Sequence, residues 1–237
     1  MARKKSKKGA LAQLLAVAFT LGALFGFTLA SIWIQGPPVL SLSSGDNYSR
    51  SMTIVGVEKS TGQGKLATVT VGLRSGIGRL LVEVPPYENE DTQQAALDAR
   101  AAASLYTGVS LSAVDIVVSV ENMEPTTTIA GPSASATMAV LMVAVIRADA
   151  ADNDNLNLAD ESANLVDQTA VVSAKIDSTG GLGSVGEIAQ KYSAALSVGD
   201  YSKFIVAQGQ PGPTQTSQSL LVQRASNLQE LAGLVLI

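Results

Sequence analysis

From Leu14 to Ile34 the chain runs 21 residues without a charge, whereas beyond Ser51 short apolar runs alternate with polar positions at two different periods. At the helical rise the first stretch spans about 30 Å, the thickness of a bilayer core, and predicts a transmembrane helix over 14–34. A cleaved signal peptide is the alternative, because Thr28-Leu29-Ala30 offers the small residues that a signal peptidase accepts. Against it, Ile32, Trp33 and Ile34 carry the apolar run past that point and place an aromatic at the expected interface. Residues 35–50, with Gly36-Pro37-Pro38 and Ser41-Leu42-Ser43-Ser44-Gly45, predict a linker, and Asn47-Tyr48-Ser49 within it spells a glycosylation sequon.

Residues 51–237 have the pattern of a folded domain. Leu66, Thr68 and Thr70 alternate with Ala67, Val69 and Val71, and Arg79 to Val84 follows a turn at Ser75-Gly76, which predicts two paired strands. Asp91-Thr92-Gln93-Gln94 opens a helix over Ala95 to Tyr106 that stops near Gly108. Asp115 to Val120 reads as a buried strand and Glu121 to Ala130 as an irregular loop. A second helix, about Ser133 to Arg147, is apolar on nearly every face and predicts the central core helix. A polar connection over Asn153 to Asp167 leads to a strand, Thr169 to Ile176. A third helix (Gly186 to Val198), a strand (Phe204 to Ala207) and a terminal helix (Asn227 to Leu234) complete the expected elements. Their alternation predicts one α/β-type (α+β) domain behind one membrane helix.

Charge sharpens this division. Arg3, Lys4, Lys5, Lys7 and Lys8 place five of the 16 cations in the first eight residues, leaving 11 cations against 20 anions, a net of −9, for the rest. The basic N-terminus, 1–13, is expected to stay in the cytoplasm and the domain to lie extracytoplasmic, anchored in lipid through 14–34. An acidic domain is a poor match for nucleic acid, whose phosphates need clustered Lys and Arg.

The chain has no His and no Cys. That excludes a Ser-His-Asp triad, a Cys-His pair, a His-ligated zinc site and a disulfide framework. Gly181-Leu182-Gly183-Ser184-Val185-Gly186 spells G-x-G-x-x-G, but the strand after it ends in Ala207-Gln208 rather than the acidic residue a ribose would need. A hairpin or loop requiring positive φ is the simpler expectation. Gly62-Gln63-Gly64-Lys65 lacks the rest of a phosphate loop, so no nucleotide or metal cofactor is expected.

One constellation remains. Ser133, in Gly131-Pro132-Ser133-Ala134, stands at the start of the apolar helix, either as an ordinary N-cap or as a hydroxyl among unpaired N–H groups that could hold an oxyanion. Without His, its base would be a lysine. On a projection of the third helix, Lys191 borders the apolar stripe of Ile188, Tyr192 and Ala195. Burial there would lower its pKa toward that of a general base, whereas an exposed i,i+4 pair with Glu187 would leave it an ordinary surface lysine. The residues alone leave both open.

Gly131-Pro132-Ser133-Ala134 resembles the nucleophile motif of the Lon protease family, and Val185-Gly186-Glu187-Ile188-Ala189-Gln190-Lys191-Tyr192-Ser193-Ala194-Ala195 is similar to its lysine segment. Lys191 lies 58 residues beyond Ser133. Asp91-Thr92-Gln93-Gln94, Tyr106-Thr107-Gly108-Val109, Ser173 to Val185, and Phe204-Ile205-Val206 with Gln208-Gly209-Gln210 extend the likeness to the membrane-anchored, ATPase-free archaeal Lon-like serine proteases. The likeness covers about residues 51–210. It implies a Lon-type proteolytic domain with a Ser133–Lys191 dyad, Ser173 supporting the lysine amine, polypeptide substrates and a ring-like homo-oligomer. Two positions depart from the pattern: Ala130 where many relatives have Asp, and Ser135 where they often have Gly. The alternative is a catalytically inactive Lon-like interaction domain, for which Ala130 speaks.

Overall fold

The computed structural model describes residues 48–58, 60–83, 90–121, 132–152 and 166–237. The chain divides between Pro38 and Val39, and every described residue belongs to the second unit. The expected membrane segment 14–34, the linker as far as residue 47, the loop 122–130 and the polar connection as far as residue 165 lie outside the described residues, as do Ala130 and Gly131.

Strand β1 (Tyr48–Val57) pairs antiparallel with β2 (Gly64–Ser75), β2 pairs antiparallel with β4 (Val114–Glu121), and β3 (Leu80–Glu83) runs parallel to β4 on its far side. The domain therefore begins earlier than the pattern suggested: Tyr48, Ser49 and Arg50 already pair with Leu73, Gly72 and Val71. The alternation in β2 is as expected, with Ala67, Val69, Val71 and Leu73 buried. The pairing of β2 with β3 is not, because β4 lies between them. The buried Asp115 carboxylate of β4 directs this crossing. It accepts the N–H groups of Ile77 (3.0 Å) and Arg79 (2.9 Å) and pairs with the Arg79 guanidinium at 2.8 Å. The Arg79 side chain foremost holds the Asp115 pKa down at about 2. A side chain at Gly76 would place its Cβ 2.2 Å from that carboxylate, so the turn needs glycine.

A second sheet is wholly parallel: β5 (Ala170–Ser173), β8 (Lys203–Ala207) and β9 (Leu221–Ala225), in that order. The expected strand 169–176 is broken at Ala174, after which β6 (Lys175–Ile176) forms a hairpin with β7 (Leu182–Gly183). The break turns the Ala174 carbonyl toward the Ala136 N–H, 3.4 Å away. Strand β9 carries only half-buried and exposed residues before Ala225, so it leaves no apolar signature in the sequence.

Four helices complete a mixed α+β architecture: α1 (Glu90–Thr107), α2 (Ser135–Asp152), α3 (Ile188–Val198) and α4 (Leu228–Val235). Asn227 caps α4 by accepting the Glu230 N–H at 3.0 Å. Pro132–Ala150 is long and apolar enough to cross a membrane by composition, yet it is buried inside the domain, as expected of the core helix. Each of its large apolar side chains contributes about 1.5–3 kcal/mol on burial, as an upper estimate.

The strands separate two apolar clusters by their alternation. Ile54, Ala67, Val172 and Ile205 face the cluster around α2, whereas Val55, Val171, Phe204 and Val206 face the cluster around α3. Ser133 and Lys191 thus sit on elements that belong to different clusters, with the strands between them.

Candidate active site

Ser133 lies in a 3-10 turn, Pro132–Ala134, immediately before α2, and is 9% exposed. Its hydroxyl makes no hydrogen bond among the described residues, so it does not cap the helix. Neighbouring Ala134 is buried and Pro132 is exposed. The hydroxyl that ties this region together belongs to Ser135, which is fully buried. Ser135 Oγ donates to the Pro132 carbonyl at 2.7 Å and accepts the Ile176 N–H at 2.9 Å. The turn bearing Ser133 is thereby joined to the chain three residues beyond Ser173.

Lys191 occupies the first turn of α3 and is 4% exposed. No ion pair or side-chain hydrogen bond joins it to any described residue. Its link to Glu187 is a main-chain bond, Lys191 N–H to the Glu187 carbonyl at 3.1 Å, and the Glu187 side chain is exposed. Burial pulls the Lys191 pKa below the ordinary lysine value, and the opposing attraction of Glu187 is the smaller effect. The stripe read from the helical projection is present: Ile188, Tyr192 and Ala195 are buried beside Lys191.

Helix α3 is held firmly. The Tyr192 hydroxyl donates to the Leu220 carbonyl and accepts the Ser217 N–H, both at 2.8 Å, and its ring meets Phe204 edge-on at 5.4 Å. The segment entering α3 is tied by Val185 N–H to the side-chain carbonyl of Gln210 at 2.7 Å. The helix starts at Ile188 rather than Gly186 because Glu187 has φ 63°. Gly64, at the start of β2, lies so close to α3 that a Cβ there would stand 2.5 Å from the Gln190 carbonyl oxygen.

Strand β5 connects the two halves, since it packs against both the Ser133 turn and α3. By alternation Ser173 shares the face of Val171, which lies in the α3 cluster. The expected hydrogen bond from Ser173 to the Lys191 amine is not made: Ser173 Oγ is buried and has no partner. Its strand is pinned by the backbone ladder to β8, which places the hydroxyl without giving it an acceptor. Thr137 Oγ1, one turn after Ser133, is also buried and unpartnered. The site therefore holds several polar groups that nothing in the domain satisfies. Such atoms are uncommon in a folded interior and collect where a further partner binds.

The G-x-G-x-x-G segment builds the β6–β7 hairpin, as expected, although its positive φ falls at Gly180 and not at any of the three motif glycines. Gly181 leaves room for the Asp177 carboxylate and Gly183 for the stem of Lys175. A cavity of about 350 Å³ opens there, with Pro132, Ile176 and Leu182 on its apolar side and Asp91, Asp98, Lys175 and Asp177 on its polar side.

Ser135 is the site residue that the sequence pattern did not single out. Its signal was present: Ser135 and Thr137 are the polar positions at the head of a helix that is otherwise apolar all round. No protein-family model and no curated protein matches this chain.

Proposed function

We propose that the chain is a membrane-anchored, ATP-independent serine endopeptidase of the Lon-like type, with Ser133 as nucleophile and Lys191 as general base. The observation that carries this is the burial of Lys191 without a charge partner, on a helix packed against the strand that also packs against the Ser133 turn. A lysine in that position has a lowered pKa, the property a base needs near neutral pH. Neutral Lys191 Nζ takes the Ser133 Oγ proton as Oγ bonds to the substrate carbonyl carbon. The tetrahedral intermediate then collapses, the C–N bond breaks, and the amine leaves with the proton from Lys191. A water molecule, deprotonated by the same amine, hydrolyses the acyl-enzyme. Residues 14–34 would anchor the chain in lipid with the domain extracytoplasmic. Unfolded or membrane-associated polypeptides are the substrates, and the working form is a homo-oligomer.

A second function is supported by a specific observation: no hydrogen bond joins Ser133, Ser173 and Lys191, as in an interaction domain that kept the fold and lost the chemistry. The two separate in one experiment. The full chain in lipid, and its Ser133→Ala and Lys191→Ala variants, are incubated with an unfolded protein. We expect cleavage by the parent chain and a loss of at least 10³-fold in both variants. Cleavage that persists in both variants removes the dyad, and the absence of cleavage by any form leaves the interaction domain.

A further inference from the structure

Ser135 stands where the family pattern often has glycine, and the structure gives it a place in the chemistry rather than in packing alone. In a regular α-helix the Ala136 N–H would bond the Pro132 carbonyl. Here that N–H is turned to the Ala174 carbonyl, 3.4 Å away, and the Ser135 hydroxyl takes the vacated position at 2.7 Å. The same oxygen accepts the Ile176 N–H at 2.9 Å, so its direction is set from both sides.

The Pro132 carbonyl and the Ser133 N–H belong to one planar trans peptide and point in opposite directions. Holding the carbonyl toward Ser135 therefore fixes where the Ser133 N–H points. That N–H is among the first of a helical turn, which have no partner within it. We propose that Ser135 is a positioning residue that sets the Pro132–Ser133 peptide so that the Ser133 N–H serves as an oxyanion donor. Without the hydroxyl, this peptide is free to rotate and present its carbonyl to the substrate oxygen instead. The proposal rests on the Ser133–Lys191 reading and extends it to the group that stabilises the transition state.

The test uses the full chain in lipid with Ser135→Ala, Ser135→Thr and Ser133→Ala. Loss of one oxyanion donor lowers kcat by about 10²–10³. We expect Ser135→Ala to lose about 100-fold in kcat with KM within about threefold, because the contact is made only in the transition state. The pH–rate profile keeps its ascending limb, because Lys191 is untouched. Ser135→Thr retains the hydroxyl and recovers at least about tenfold of the loss. Amide exchange at Ile176 reports the broken clamp independently of activity, speeding up in Ser135→Ala and not in Ser135→Thr. If the parent chain cleaves, Ser133→Ala does not, and Ser135→Ala keeps kcat within about threefold or changes KM alone, the positioning role is overturned while the dyad stands. If Ser133→Ala cleaves as well as the parent, or the parent does not cleave, the dyad is overturned and the role of Ser135 falls with it.

Discussion

At the scale of single residues, the decisive contrast is between Lys191 and the other lysines whose surroundings the structure describes. Lys65 and Lys203 are half-buried and Lys175 is exposed; Lys203 bonds Asp167 at 2.8 Å, whereas Lys191 is buried with no counter-charge. Its folded-state pKa is below its unfolded value, so between the two the unfolded chain binds more protons and stability rises with pH. Lys191→Met keeps the volume and removes the charge. We expect it to abolish cleavage, to melt higher at pH 7 by about 2–4 °C for each kcal/mol of relieved desolvation, and to lose the parent's rise in melting temperature toward pH 10. Melting curves from pH 6 to 10 check this, and an unchanged difference between the two proteins across that range would refute it. The same titration places the ascending limb of the pH–rate profile, and an acid optimum is incompatible with a neutral-lysine base. The position of Lys191 was legible because helical periodicity is local: Ile188, Tyr192 and Ala195 mark the buried face within eight residues. The missing Ser173 partner was not legible, since it depends on the exact approach of a strand 18 residues away in sequence.

At the scale of elements, the position of α3 depends on what packs beneath it. The closest backbone approach is at Gly64, where an added Cβ would lie 2.5 Å from the Gln190 oxygen and 2.6 Å from Ala194 Cβ. Gln190 precedes Lys191, so Gly64→Ala must move the base without altering any reacting group. Misplacement approaching 1 Å costs on the order of 10²-fold in rate. We expect a fall in kcat/KM of about 10–100-fold and a loss of about 1–3 kcal/mol in stability, read from urea unfolding. Gly72→Ala is the control, because its Cβ would meet nothing nearer than 3.6 Å, and it retains activity. Equal activity in the two variants would mean that α3 does not position the chemistry. The helices were read from the sequence with ends shifted by a few residues, while strand partners were not. Pairing of β3 with β4 follows from Asp115 gripping the Ile77 and Arg79 N–H groups across 36 to 38 residues, which no alternation pattern encodes.

At the scale of the whole molecule, the prediction concerns the anchor. Twenty-one uncharged residues preceded by five cations favour insertion with the N-terminus in the cytoplasm. The full chain should stay with membranes through alkaline carbonate extraction, and deletion of 14–34 should release it. Release of the intact chain by carbonate would contradict an integral anchor. What the sequence by itself determined is what neighbouring residues decide: the apolar segment, the helices with their caps, the alternation in β2, the exclusion of imidazole and thiol chemistry, and Ser133 and Lys191 as the pair to examine. Only the tertiary structure decided that β4 separates β2 from β3, that Lys191 is buried without a counter-charge, that Ser173 has no partner, and that Ser135 clamps Pro132 to Ile176. Those outcomes rest on contacts between residues tens of positions apart, whose geometry is set by the packing of both apolar clusters at once and not by any local period.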